Sequence, residues 1–313
     1  MGKIAFVFSG QGAQKIGMGR DLCDNFEVAK KTFAESSEAL GFSIEDMIFN
    51  GDEETLMLTE NTQPAVVTMS VAAYRVLVEK GVKPDVVAGL SLGEYSAHIA
   101  SGTIGFADGV RLVKKRGKFM QEEVPEGIGA MAAILGLDAD SVTECAKKAS
   151  DVGICEPANF NCPGQIVVSG EVKAVEKACE IAKEMGAKRA MMLAVSAPFH
   201  CSMLKGAGEK LAAELENVEL SDMTIPVVTN VTADYIGDES EVKDLLKRQV
   251  SSSVKWEESV RRMIADGVDT FVEVGPGKAL SGFIKKIDKD VRIFNVEDCE
   301  SLEKTLSSIQ EIV

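Results

Sequence analysis

A single serine stands between two glycines in Gly89-Leu90-Ser91-Leu92-Gly93, after the short run Asp85-Val86-Val87-Ala88 and before an amphipathic stretch over residues 94–101. Strand, tight turn and helix is the setting in which Gly-x-Ser-x-Gly becomes a nucleophile elbow. The glycines let the backbone turn sharply and let a carbonyl approach the hydroxyl. The N–H groups that open the helix then point at the place where an oxyanion would form. A serine nucleophile needs a base, and the chain has only two histidines. His98 follows Ser91 by two helical turns, about 10 Å of rise, which is beyond hydrogen-bond reach; it reads as helix packing. His200, in Ser196-Ala197-Pro198-Phe199-His200, is favoured by elimination. A loop there can return to the carboxyl edge of a sheet, where ligands collect in open α/β folds. Cys201 beside it is a weaker alternative nucleophile, because adjacent side chains diverge.

Two further segments carry chemistry. Ser9-Gly10-Gln11-Gly12-Ala13-Gln14 follows an apolar run. As a dinucleotide fingerprint its third glycine is misplaced and no ribose-binding acid matches it; as a loop beside the elbow it can supply an oxyanion donor. Residues 107–123 are helical in period and carry Arg111, Lys114, Lys115, Arg116 and Lys118. Most of that charge reads as a solvated face. One arginine turned inward would pair bidentately with a carboxylate, which lysine does less well.

The elements that must position these residues alternate. Strands are expected at 3–8 and 85–88, and helices at 21–40, 62–80 (opened by Pro64) and 107–123. This βα order argues for a parallel sheet covered by helices. Residues 129–196 read instead as strand 130–135, helix 139–149, strands 152–159 and 165–169, helix 172–185 and strand 190–195. That βαββαβ order is the split-βαβ, ferredoxin-like plan. The α/β pattern then resumes with helices at 207–216, 241–249, 256–266 and 278–286 and strands at 227–230, 270–274 and 293–296. The expected division is a large α/β domain from 1–128 and 197–313, with a small domain at 129–196 inserted.

Composition bounds the function class. The chain has 313 residues, 45% hydrophobic and 27% charged, which is ordinary for a globular protein with a real core. A net charge of −15 should repel phosphate backbones, so no nucleic-acid partner is expected. No apolar run reaches the roughly 18 residues of a membrane span, and the N-terminus lacks a signal-peptide pattern. Seven cysteines without a Cys-x-x-Cys fit free thiols in a reducing cytoplasm better than a disulfide or zinc framework. No metal site is expected.

The ordered motifs resemble one family. Phe8-Ser9-Gly10-Gln11-Gly12, Thr62-Gln63-Pro64-Ala65, Gly89-Leu90-Ser91-Leu92-Gly93-Glu94-Tyr95, Arg116-Gly117, Asn159-Phe160-Asn161-Cys162-Pro163-Gly164-Gln165, Pro198-Phe199-His200 and Glu273-Val274-Gly275-Pro276-Gly277 are similar to those of malonyl-CoA:acyl carrier protein transacylases. The resemblance implies an α/β-hydrolase-like large domain with a ferredoxin-like small domain inserted. It implies transfer of malonyl from malonyl-CoA to the phosphopantetheine thiol of an acyl carrier protein, without a cofactor. In that scheme Ser91 is acylated and His200 is its base, held by a backbone carbonyl near Gln249 rather than by an aspartate. The N–H groups of Gln11 and Leu92 form the oxyanion hole. Arg116 grips the free malonyl carboxylate, Gln63 and Asn159 line the site, and Phe199 rejects a 2-methyl branch. Leu90 departs from a frequent histidine and Ser253 from a usual proline, which bears on the loop carrying Gln249. The rival readings are a trans-acting polyketide acyltransferase, a serine thioesterase or hydrolase, and a non-enzymatic carrier-binding subunit. An acidic carrier would need a local basic patch on this acidic chain. Lys114, Lys115, Lys118, Lys188, Arg189, Arg261, Arg262, Lys285 and Lys286 are the candidates.

Overall fold

The structure is a computed structural model that describes residues 2–195 and 197–310; Ser196, at the expected domain boundary, lies outside them. Strands, numbered in chain order, are β1 (Lys3–Phe8), β2 (Val86–Gly89), β3 (Gly129–Leu135), β4 (Cys155–Cys162), β5 (Gln165–Glu171), β6 (Arg189–Met192), β7 (Val227–Val228), β8 (Val268–Val274) and β9 (Arg292–Val296). Five of them form a parallel sheet in the order β7-β2-β1-β8-β9. Successive side chains of a strand face opposite sides. Ile4, Phe6 and Phe8 accordingly enter one hydrophobic core while Ala5 and Val7 enter another, so both faces of the sheet are covered. Phe8 is in register with both Gly89 and Val274. The loops after β1, β2 and β8 therefore emerge side by side at the carboxyl edge.

The other four strands form an antiparallel sheet ordered β4-β5-β3-β6, with the helices Ala139–Ala149 and Val172–Glu184 packed on one face. Its βαββαβ connectivity and strand order are ferredoxin-like. The opposite face carries Met131, Ala133, Ala158 and Val167, against which Phe199 packs. Gly129 adjoins Pro198 so closely that a Cβ there would lie 2.3 Å from Pro198 Cγ. This sheet is thus seated on the segment that carries His200.

Several elements differ from the sequence expectation. Residues 21–40 are two helices, Arg20–Asn25 and Glu27–Leu40, broken at Phe26, whose backbone is extended (φ −131°, ψ 119°). Pro64 does not open its helix, which runs Thr59–Glu79 and starts on the Leu58 carbonyl. Proline there forfeits one backbone bond, and burial of most of the helix outweighs the loss. The strand expected at 152–159 lies at 155–162, because Gly153 and Ile154 are spent on a loop. β4 is an edge strand, where Pro157 is tolerated. Its outer side is met by the segment at Val254: Phe160 N–H bonds Val254 O at 2.9 Å and Val254 N–H bonds Ala158 O at 2.8 Å. Ser253 Oγ also donates to Pro157 O at 2.5 Å. The helices Ile44–Asn50, Glu53–Met57 and Cys299–Gln310 were not expected; the first two carry Ser43 and Asp52 as side-chain N-caps, a legible signal. No helix among the described residues is long and apolar enough to cross a membrane.

Trp256 is fully buried in the second core. Trp256→Ala should cost about 3–5 kcal/mol, read as a lower urea midpoint at unchanged slope. A loss below about 1 kcal/mol would mean that this core does not hold the parallel sheet in the way described.

Candidate active site

The turn after β2 is forced by close backbone contact. A Cβ on Gly89 would lie 1.9 Å from Gly93 C, and one on Gly93 would lie 2.1 Å from Phe8 O. Neither position admits a side chain. Between them Ser91 has φ 53°, in the left-handed region. The helix Gly93–Ala100 starts immediately after Leu92. This is the elbow expected from the motif, with its hydroxyl lifted clear of strand and helix.

His200 also has positive φ, 62°. Its Nε2 lies 2.6 Å from Ser91 Oγ and its Nδ1 lies 2.9 Å from Gln249 O. A carbonyl only accepts, so Nδ1 carries the hydrogen and Nε2 offers its lone pair to the serine hydroxyl. The pair is a dyad oriented by a backbone carbonyl. Burial, then the Arg116 charge, pushes the His200 pKa from 6.5 down to about 4, against the Gln249 carbonyl, which holds it up. The imidazole is therefore neutral and able to accept a proton at physiological pH. His98 is fully buried, with its nearest acid, Glu94 Oε1, 3.9 Å away. Cys201 is buried, and burial raises its pKa, the opposite of a reactive thiolate.

Arg116 is the inward arginine of its helix, 1% exposed. Its Nη1 donates to Gln63 Oε1 at 3.0 Å, and its Nη2 to Gln249 Oε1 at 3.1 Å and to Ser91 Oγ at 3.2 Å. Its Cζ sits 5.2 Å from the Tyr95 ring centroid. All its hydrogen-bond acceptors are neutral. Among the described residues no carboxylate forms an ion pair with this buried guanidinium, although the Glu94 carboxyl acts on it through space, and a cation so placed suits an anionic ligand.

Other expected residues are placed with less contact. The loop of Gln11 abuts the elbow, for a Cβ on Gly10 would lie 2.6 Å from Leu90 O. No hydrogen bond within the described residues takes up the N–H of Gln11 or Leu92. Phe199 is half-buried between two cores. Asn159 is buried on β4 next to Val254, and its amide is not hydrogen-bonded to the dyad. Gln249 does more than its expected carbonyl role, since its Nε2 also donates to Ser91 O at 2.9 Å. Asn230 and Glu94 were missed. Asn230 follows a two-residue strand and has no motif around it, while Glu94 in the first turn of a helix reads as a surface acid. Glu94 is fully buried and raised to about 7 by burial, opposed by the Asn230 N–H.

Residues 5–304 match the model of the acyl transferase domain family. A malonyl CoA-acyl carrier protein transacylase of Bacillus subtilis is 47% identical over 312 residues, 99% of this chain and 98% of that one. The chain belongs to this acyl transferase family. It is an acyltransferase, similar over nearly its whole length to malonyl CoA-acyl carrier protein transacylases. A crystal structure of one from Clostridium perfringens superposes with a TM-score of 0.97 at 52% identity, covering 99% of this chain and 98% of that one. A type II PKS acyl-carrier protein in complex with its malonyl-transacylase superposes with a TM-score of 0.95 at 44% identity, covering 98% and 99%.

For an acyltransferase with this dyad, reaction of Ser91 with a serine-directed phosphonate requires neutral His200. Below its pKa the imidazole is protonated and cannot accept, so labelling should hold steady through neutral pH and fall only as pH drops through about 4. A midpoint at the ordinary 6.5 would contradict the burial argument.

Proposed function

We propose that this chain moves a malonyl group from malonyl-CoA to the phosphopantetheine thiol of an acyl carrier protein, supplying fatty acid synthesis. The observation that carries the reading is Arg116, a buried guanidinium 3.2 Å from Ser91 Oγ. An acyl group with a free carboxylate at its far end fits a nucleophile and a cation at that spacing. Ser91 Oγ attacks the thioester carbonyl as His200 Nε2 takes its proton, and the N–H groups of Gln11 and Leu92 receive the oxyanion. The carbon–sulfur bond breaks, His200 returns the proton to the coenzyme A sulfur, and a malonyl ester remains on Ser91. The carrier thiol then gives its proton to His200, its sulfur attacks the ester, and Ser91 Oγ leaves and is reprotonated. Each step uses only side chains, backbone and the two substrates, so no cofactor or metal enters. Gln63 and Gln249 hold Arg116 level with the serine, Asn159 lines the site, and Phe199 restricts branching at the acyl carbon. Residues 129–196 act as a unit inserted between 1–128 and 197–313, with the free face of its sheet against Phe199. All seven cysteines are free thiols, six of them buried, which supports a reducing compartment, the cytoplasm.

Arg116→Ala should cost malonyl-CoA roughly 10–100-fold in kcat/KM, the worth of about 1.5–3 kcal/mol for a charge-assisted hydrogen bond, and should cost acetyl-CoA much less. Equal losses on both substrates would remove the clamp role. Mass spectrometry of the enzyme with malonyl-CoA alone should find the adduct on Ser91. Rapid hydrolysis of that adduct without a thiol acceptor would favour a hydrolase instead.

The carrier must dock despite the net charge of −15. Lys114, Lys115, Lys118, Arg261 and Arg262 are each ion-paired to a carboxylate. Lys188, Arg189, Lys285 and Lys286 form no ion pair among the described residues. Lys286 Nζ reaches Gln165 Oε1 at 3.2 Å, and Leu135 sits between Gln165 and Arg189 across adjacent strands, so these cations gather at one end of the small sheet. Replacing the four with glutamate should raise KM for the carrier and flatten its salt dependence while leaving malonyl-enzyme formation intact. No change in either would exclude this patch.

A further inference from the structure

Five hydrogen bonds meet on Asn230, a fully buried residue that the steps above do not use. Its Oδ1 accepts from Ser91 N–H at 2.6 Å and its Nδ2 donates to Gly89 O at 2.7 Å. Its own N–H donates to Glu94 Oε2 at 2.8 Å, and its carbonyl accepts from Lys255 N–H at 3.0 Å. One amide thus spans the elbow from the end of β2 to the serine, across 139 residues of sequence. Gln249 Nε2 holds the carbonyl on the other side of Ser91 at 2.9 Å and lies 3.4 Å from Asn230 Oδ1.

These bonds bear on a strained backbone. Ser91 sits at φ 53°, a well that non-glycine residues leave unless the surroundings over-determine it. Relaxing Ser91 toward an ordinary φ would rotate the peptide units flanking it. With the Ser91 N–H held by Asn230 Oδ1 and the Ser91 carbonyl held by Gln249 Nε2, one of those two bonds would have to break. Asn230 itself is fixed at both backbone ends. Its N–H partner, Glu94, lies on the first turn of the elbow helix, so elbow, asparagine and helix close a ring of hydrogen bonds.

We propose that Asn230 is the positioning residue of the nucleophile. It holds the elbow turned so that Ser91 Oγ stays at 2.6 Å from His200 Nε2, and Glu94 holds Asn230 in place through its backbone N–H. The proposal rests on Ser91 being the nucleophile but not on the acyl group being malonyl. Asn230 has no hydrogen bond to His200 or to the Arg116 guanidinium; its direct hold is on the Ser91 N–H, and it meets Gln249 only at 3.4 Å.

The test uses the full chain with Asn230→Ala, Asn230→Asp, Glu94→Ala and Glu94→Gln. The readouts are end-point and rate of labelling by a serine-directed phosphonate, malonyl-transfer kinetics and thermal melting. Asn230→Ala should still label to full stoichiometry but at a rate per site lower by about 10²-fold, as expected for a misplaced reacting atom. KM for malonyl-CoA should stay within about twofold, and the acid midpoint of labelling should not move, because Gln249 still orients His200. Asn230→Asp keeps the acceptor for Ser91 N–H and should recover part of the rate. Glu94→Gln keeps an acceptor for Asn230 N–H and should recover most of what Glu94→Ala loses. If activity in Asn230→Ala falls only in proportion to the labelled fraction, with a normal rate per labelled site, Asn230 merely stabilises the fold and the proposal is wrong. Equal losses in Glu94→Gln and Glu94→Ala would remove Glu94 from it. Failure of the parent enzyme to transfer malonyl, with labelling intact, would instead overturn the substrate assignment.

Discussion

A guanidinium buried without a carboxylate is the constraint on which this site depends. Moving an unpaired charge out of water is costly, and Arg116 is tolerated because two glutamine oxygens and the serine hydroxyl face it. Those neutral dipoles hold the cation without discharging it, which leaves its electrostatic pull for a ligand. The same charge helps keep His200 unprotonated. One residue therefore helps to keep the base neutral and, in the function proposed above, receives the anionic end of the acyl chain. An aspartate in the position of the Gln249 carbonyl would have opposed both effects, since it would favour imidazolium and compete for the arginine.

Strain and close packing accompany that charge. The two residues that share the short hydrogen bond, Ser91 and His200, both have left-handed backbones although neither is glycine. Such conformations cost on the order of 1–3 kcal/mol each and persist where neighbours fix them. Here the neighbours are side-chain amides and a backbone carbonyl from segments remote in sequence. Gln249 alone contacts His200, Arg116 and Ser91. The segment that follows Gln249 is in turn tied to β4, through Val254 and through Ser253 Oγ at Pro157 O. Ser253 thus supplies by a hydrogen bond some of the rigidity that a proline would give by its ring.

The two sheets divide the work. The parallel sheet brings three loops to one edge, because Phe8 is level with both Gly89 and Val274. The antiparallel sheet packs one face on its own helices and offers the other to Phe199. Lys188, Arg189, Lys285 and Lys286, proposed above to meet the carrier, lie at the start of β6 and on the helix Ala279–Ile287, apart from the buried Arg116.

Much of this was legible in the sequence because it is encoded locally. Glycines at 89 and 93 announce the elbow, two histidines leave one plausible base, and hydrophobic period separates the βα region from the βαββαβ insert. Local signals also misled. The helical period across 21–40 hides the break at Phe26, and Pro64 looked like a helix start when burial carries the helix through it. What only the tertiary structure decided is which distant polar groups meet. Arg116 among five neighbouring cations, the three contacts of Gln249, and the span of Asn230 from Gly89 to Ser91 all arise where segments far apart in the chain pack together. Hydrophobic patterning specifies which face of an element is buried, and it does not specify which buried donor finds which acceptor.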